Sequence, residues 1–281
     1  MKQSTICNQL KIAHQLLASL QDAHLDAALL LAHVLRVSRT HLIAWPEQML
    51  GATETQHFQA LLQRRLLGES VAHLMGEKEF WSMTLTVTAD TLIPRPDTEI
   101  LVEQILQFFI QPDLQLLDLG TGTGAIALAI AKERLHWRIT ATDLYTKTLA
   151  VAQRNAEKLG LNQVRFLQGD WFKAVSGQRF DIIVSNPPYI AETDPHLMSP
   201  ELRHEPRHAL VSGKAGLDAL YLIIEQAGDY LNDQGWLYVE HGCDQAIFMQ
   251  QKMQAMGYDQ IETYLDLGNR PRVTQGKLRC R

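Results

Sequence analysis

The sequence predicts a doubly wound α/β sheet preceded by a small all-α bundle, and three observations carry that expectation. After about residue 110, short apolar runs alternate with segments of helical periodicity, which implies parallel strands joined by crossover helices. Three glycines, Gly120, Gly122 and Gly124, lie between one such run and the helix that follows it. Residues 5–75, by contrast, repeat a helical spacing and contain no strand-like alternation.

In the first region Ile6, Leu10, Ala13, Leu16, Leu17 and Leu20 share a helical face, and Leu25, Ala28, Leu29, Ala32 and Leu35 repeat the pattern after a break at Asp22. Pro46 and Gly51 punctuate a loop before a further amphipathic helix, HFQALLQRRLL, on which Arg64 and Arg65 are expected to be exposed. From Phe80, FWSMTLTVTADTLIP alternates apolar and polar side chains, the pattern of a half-buried hairpin joining two domains. IPRPDTEILVEQILQFF then opens a helix, with Pro96 near its start and Asp97 and Glu99 in the first turn, where the helix dipole favours acids. Asp97 is expected to cap it. The expected domains are therefore a helical domain 1–76, a hairpin linker 77–96 and an α/β domain 97–281.

In the α/β region QLLDLG, RITATD, VRFLQGD, FDIIVSNPP and GWLYVEHG predict strands buried on both faces. AIALAIAKER, TLAVAQRNAEKLG and LDALYLIIEQAGDYL predict the helices between them.

Bulk properties narrow the class. The 281 residues are 46% apolar and 20% charged, ordinary for a chain with a real hydrophobic core. With 26 basic against 31 acidic residues, binding of nucleic acid mainly through phosphates is disfavoured. Cys7, Cys243 and Cys280 form no CxxC pair, which argues against a disulfide framework or zinc knuckle. The first residues, MKQSTICNQLKIAHQLL, are too polar for a secretory signal, and no run nears the roughly 20 apolar residues of a membrane span. A reduced, cytoplasmic protein is expected.

The glycine loop is the first chemical signal. Glycine permits a sharp turn and close backbone approach to a ligand, and the new helix offers free N–H groups at its positive end. Gly120, Gly122 and Ala125 also satisfy a dinucleotide fingerprint, with Asp143 about 20 residues on as a ribose-binding acid, so nicotinamide and methyl-donor cofactors both stay open here. Asp143 could equally cap the helix starting near Tyr145. Asp170 and Trp171, ending the third strand, would suit a purine ring, although Trp171 could be a core aromatic.

The run FDIIVSNPPY, residues 180–189, decides between the cofactors. Successive prolines Pro187 and Pro188 fix φ, remove two donors and restrict the residues before them, so the turn is rigid and rich in unclaimed carbonyls. The Asn186 side-chain oxygen and the Pro187 carbonyl could each accept one hydrogen of a planar NH₂ group, and Tyr189 could stack on it. Such a turn serves methylation of an amide or an exocyclic amine. Hydride transfer has no use for it.

These residues resemble the HemK-type protein-(glutamine-N5) methyltransferases that act on peptide chain release factors. The likeness runs through KEFWS at 78–82, TLIPRPDTE at 91–99, LLDLGTGTGAIALAIA, DWF, SNPPYI, EHG at 240–242 and LGNRPRVTQGK. NPPY alone is shared with adenine-N6 DNA methyltransferases; its pairing with TLIPRPDTE is the specific part. The resemblance implies a seven-stranded, Rossmann-like S-adenosylmethionine-dependent methyltransferase domain, with its last strands from YDQIETYLDLGN and RVTQGKL. It implies that Gly120, Thr121, Gly122, Thr123, Gly124 and Asp143 hold the methionine and ribose parts of S-adenosyl-L-methionine, which leaves as S-adenosyl-L-homocysteine. Trp171 would flank the adenine, Asn186 would touch cofactor and substrate, and Pro187, Pro188 and Tyr189 would complete a glutamine pocket. Asn186, Pro187 and Tyr189 are the expected catalytic set. The acceptor would be the GGQ glutamine of a class I release factor, docked by the helical domain, with no nucleic acid and no membrane involved.

One departure is Glu69-Ser70, where relatives carry a proline, so the linker is expected to be less stiff. The alternatives are adenine-N6 methylation, which would want a target-recognition domain and a basic groove, and a non-catalytic cofactor-binding protein, which would not need the Asn186–Tyr189 turn. Arg203, His204, Glu205 and Arg207 read as a solvated loop, within a segment 191–215 that could cover the site.

Overall fold

The computed structural model describes residues 4–279. It divides into two compact units, Met1–Gly76 with Met198–His204, and Glu77–Leu197 with Glu205–Arg281.

The first unit contains α1 (Ile6–Leu16), α2 (Ala23–Leu35), α3 (Arg39–Ala44), α4 (Ala52–Leu66) and α5 (Val71–Met75). Hydroxyls end the loops: Thr5, Ser38 and Ser70 each accept an N–H from the first turn of α1, α3 and α5. Ser70 is thus a helix cap, at the position where the expected proline is missing. Ile6, Leu17, Leu30, Leu31, Phe58 and Leu62 form the core. Arg65 is buried rather than exposed, contrary to expectation. Its Nε lies 2.7 Å from Asp26 and its terminal nitrogen 2.7 Å from Glu201, a residue of the 198–204 piece. The cost of hiding a guanidinium is offset because both carboxylates reach it; removing Arg65 would strand Asp26, at about 3–5 kcal/mol. Arg64 remains half exposed and pairs with Glu69.

The second unit opens with a hairpin, β1 (Glu77–Phe80) and β2 (Met83–Thr86). Trp81 and Ser82 both have positive φ, as a tight two-residue hairpin turn of matching twist requires. The hairpin begins earlier and ends earlier than the alternation predicted. It stops because the Asn155 amide takes both backbone groups of Thr86, at 2.7 and 3.0 Å, leaving residues 87–94 irregular. A 3-10 turn, Pro96–Thr98, precedes α6 (Glu99–Phe108). Asp97 does not cap it: the cap positions are Arg95 for the 3-10 turn and Thr98 for α6, and Asp97 instead faces Arg270 and Arg272 at 3.7 and 3.6 Å.

The sheet then follows: β3 (Gln115–Leu119), α7 (Ala125–Glu133), β4 (Arg138–Asp143), α8 (Thr146–Leu159), β5 (Arg165–Gln168), β6 (Phe180–Ser185), α9 (Asp218–Tyr230), β7 (Leu231–Glu240), α10 (Ala246–Ala255), β8 (Tyr258–Leu265) and β9 (Pro271–Leu278). Its order is β5-β4-β3-β6-β7-β9-β8, seven strands, with β9 antiparallel to both neighbours and the other pairings parallel. Alternate strand residues feed two cores. Leu116, Ile182 and Val184 pack on the face covered by α6 and α7; Leu117, Leu119 and Ile183 pack on the face covered by α9 and α10. The helix α10 was not expected, since only Met249 and Met253, one turn apart, bury any of AIFMQQKMQA. No helix among the described residues is long and apolar enough to cross a membrane.

The order reverses between β3 and β6, which pair directly with Leu119 opposite Ser185 at their C-terminal ends. Ligands of such sheets bind at that reversal. The glycine loop leaves β3 there, and the proline turn leaves β6 beside it.

Candidate active site

Gly120, Gly122 and Gly124 all adopt left-handed φ, between 59° and 83°. The Gly120 and Thr121 amides both donate to the Thr142 carbonyl at 2.9 Å, tying the loop to the end of β4. Gly122 N–H donates to Asp143 at 3.1 Å, and the other Asp143 oxygen accepts from Tyr145 N–H at 3.0 Å. Asp143 therefore braces both the glycine loop and the turn into α8. Burial raises its pKa, opposed by those amide bonds and by nearby His208. Beneath the loop Asp118 is wholly buried, and its carboxyl is pushed up to about 7 by burial against a 2.7 Å hydrogen bond from the Thr121 hydroxyl. The Ala127 backbone N–H also holds this carboxyl down against burial.

A cavity opens over the loop. Gly120, Thr121, Gly122, Thr123, Asp143, Trp171, Asn186, Pro187 and Pro188 line it, so most of the residues singled out from sequence converge. Trp171 holds a φ of 50°, an uncommon conformation for so bulky a residue and one that turns its ring toward Gly120. Two residues of the expected set do not line the cavity. Gly124 is the helix cap of α7, where an added Cβ would come within 3.0 Å of Leu128 and 3.3 Å of Ala152; its smallness serves packing. Tyr189 packs against the α9 core, and its hydroxyl donates to Glu240 at 3.2 Å.

The Asn186 amide is oriented by its neighbours. Its NH₂ donates to the Thr98 hydroxyl at 3.1 Å, so the side-chain oxygen is the atom left for the cavity. Glu240 lies behind, at the end of β7. Burial pushes its carboxyl up to about 7, against hydrogen bonding from Thr98, the charge of Arg272 and the Tyr189 hydroxyl. Burial also raises the Tyr189 pKa, so this hydroxyl stays protonated.

The segment 191–215 supplies a further wall. Glu205 is buried rather than solvated: it pairs with Arg95 and accepts the Ile93 N–H at 3.1 Å. His208 and Ala209 line the cavity, with the His208 ring 3.9 Å from that of Tyr145. Arg95 and Thr98 also line it. Sequence reasoning reached His208 and Ala209 only as part of the segment 191–215 that could cover the site, and gave Arg95 and Thr98 no site role, although both stand inside the quoted TLIPRPDTE segment.

Comparison with known proteins places this geometry in a lineage. Residues 96–214 match the model of the methyltransferase small domain, and residues 9–76 match the PrmC N-terminal domain. A release factor glutamine methyltransferase of Shewanella oneidensis is 48% identical over 98% of this chain and 96% of its own. Its counterpart in Escherichia coli is 47% identical over 90% and 91%, and that of Coxiella burnetii 46% identical over 93% and 94%. The chain belongs to the release factor glutamine methyltransferase family. It is an S-adenosylmethionine-dependent methyltransferase by that membership. Solved structures of lower identity share the fold. A methyltransferase from Pyrococcus furiosus superimposes with a TM-score of 0.54 at 20% identity, covering 79% of this chain and 98% of that one. The Thermus thermophilus 16S rRNA N2 G1207 methyltransferase, solved with AdoMet and guanosine, gives 0.51 at 19% identity, covering 72% and 50%. The expected fold class stands, and the structure adds that β9 runs antiparallel to both neighbours.

Proposed function

We propose that this chain moves a methyl group from S-adenosyl-L-methionine to the N5 amide nitrogen of the GGQ glutamine in class I peptide chain release factors. The observation that carries the reading is the Asn186 amide, whose NH₂ is committed to Thr98 so that its oxygen is available to the cavity. An acceptor oxygen on a proline-stiffened turn suits a primary amide, whose two hydrogens need two acceptors. Asn186 Oδ1 and the Pro187 carbonyl would take one each.

The residues fit the cofactor. Nothing lies within 4 Å of a Cβ added at Gly122, the cavity side there being open. The Asp143 carboxylate would accept ribose hydroxyls, Gly120–Thr123 would receive the methionine part, and Trp171 would flank the adenine. Bound there, the cofactor supplies an electrophilic methyl on a sulfonium. The chain's contribution is position and polarity. Asn186 and Pro187 fix the amide nitrogen and draw density from its N–H bonds, which favours the lone pair that amide resonance withholds. The Tyr189 ring supports this turn from behind, through its bond to Glu240, rather than stacking on the acceptor. The helical unit would dock the factor, and a release-factor substrate assigns the reaction to the cytoplasm.

The test offers the purified protein labelled S-adenosyl-L-methionine with a class I release factor, the same factor with its GGQ glutamine changed to alanine, or duplex DNA. Label is expected on the intact factor alone. Equal label on both factors, or label on DNA, would replace the substrate assignment.

A further inference from the structure

Two rings from distant parts of the chain meet at the mouth of the cavity. Tyr145 leads from β4 into α8, and His208 belongs to the 3-10 turn Arg207–Ala209. Their ring centroids lie 3.9 Å apart with the planes inclined by 38°, and both residues line the cavity. Tyr145 is 41% exposed, which puts it at the rim rather than in the core. The site reading gives neither ring a task.

The turn that presents His208 is fixed at both ends. At its start the buried Glu205 pairs with Arg95 and accepts the Ile93 N–H at 3.1 Å. At its end Ile190 donates to the Leu210 carbonyl at 2.9 Å, and Ser212 donates to the Ile190 carbonyl at 3.0 Å. Between these anchors the Ala209 and Val211 N–H groups donate back to Pro206 and Arg207, at 2.9 and 3.0 Å. The backbone under the opposite ring is tied as well, since the Tyr145 N–H donates to Asp143 at 3.0 Å. A chance contact between two surface side chains needs none of these anchors. Here each backbone is held where its ring reaches the cavity.

We propose that Tyr145 and His208 are cofactor-binding residues, a pair of rings that covers the nucleoside end of S-adenosyl-L-methionine beside Asp143. This rests on the reading of Asp143 as the ribose acceptor. Small-molecule sites combine apolar walls with a few placed polar groups; the rings supply wall where Asp143 supplies the polar group. Each ring also limits the freedom of the other. With its neighbour gone, a ring on a surface turn regains its rotamers and must be ordered again when the ligand binds. The two therefore act as a unit rather than as separate contacts. The cover uses ring faces, not the Tyr145 hydroxyl or the His208 nitrogens.

The test measures the affinity of S-adenosyl-L-homocysteine by calorimetry and its dissociation rate by stopped flow, with no turnover to complicate either. The proteins are wild type, Tyr145→Ala, His208→Ala, the two alanines together, Tyr145→Phe, His208→Phe and Asp143→Asn. Alanine at 145 keeps the backbone N–H that braces Asp143, so only the ring is lost. Each alanine is expected to weaken binding about three- to tenfold, the scale of one aromatic contact, and to do so through faster dissociation. The double variant is expected within about twofold of the weaker single, as residues acting together require. Phenylalanine at either position is expected to bind within about twofold of wild type. The cover is overturned if either alanine leaves affinity within about twofold, if the two losses multiply, or if phenylalanine fails to retain binding. Unchanged affinity in Asp143→Asn would overturn the ribose reading instead, whatever the rings do. All affinities are read well below each variant's melting temperature, so misfolding does not enter.

Discussion

Two loops leave neighbouring strands at the same edge of the sheet, and they are built from opposite backbone chemistry. The loop after β3 is glycine-rich, turns through left-handed φ at Gly120, Gly122 and Gly124, and leads into the amide end of α7. The turn after β6 has two prolines, which strip the backbone of donors and fix its φ. One offers room and leads to the free N–H groups of the first turn of α7; the other offers carbonyls and rigidity. A donor-rich cradle suits the anionic and polar parts of a nucleoside cofactor, and an acceptor-rich turn suits an NH₂ group. The lesson is that a two-substrate site can divide its hydrogen-bond polarity between adjacent strand ends.

The sharpest way to break that division is Asn186→Ala, which removes the side-chain acceptor and leaves the prolines. Methyl transfer is expected to fall by about 100-fold or more, the scale seen when one positioned polar group is lost, with cofactor affinity changed far less. Steady-state kinetics with a release factor beside cofactor titration calorimetry would check it. On the other side, Gly120→Ala has room, its Cβ meeting only the Trp171 ring at 3.8 Å, but the residue must hold φ of 71°. That conformation costs an alanine roughly 1–2 kcal/mol, so cofactor binding is expected to weaken about tenfold while kcat at saturation changes little. Calorimetry reads this directly, and unchanged affinity would remove the loop's conformation from the binding account. The smallest effect on chemistry is expected from Gly124→Ala. Its Cβ would press on Leu128 and Ala152 in the core, so denaturant titration should register a loss of about 1–3 kcal/mol, with cofactor affinity near wild type.

How far the sequence discloses these features follows from how local they are. The strand–glycine–helix and strand–proline units each lie in one contiguous run, and their conformational restrictions are intrinsic to glycine and proline, so both were legible. The parallel sheet was legible from alternation for the same reason. The partners that aim the site were not. Thr98 meets Asn186 across 88 residues, Tyr189 meets Glu240 across 51, and Glu205 meets Arg95 across 110. Periodicity carries no record of such pairs. Tyr189 illustrates this: its place beside the proline turn gives no sign that its hydroxyl reaches Glu240 at the end of β7. Arg65 was readable and misjudged. It stands four residues after Leu61 and three after Leu62, inside the stripe that α4 buries, and a charge there must find a carboxylate.

The order in which that carboxylate arrives has a biosynthetic consequence. The helical unit is closed by residues 198–204, where Glu201 meets Arg65. A ribosome releases chain from the N-terminus at about 5–20 residues per second, so the helices emerge seconds before their final piece is made. Through that interval Arg65 has Asp26 but not Glu201. The N-terminal helices should therefore reach full stability only after most of the sheet's strands have been synthesised, and a fragment cut after Gly76 should be less stable than the same helices in the full chain.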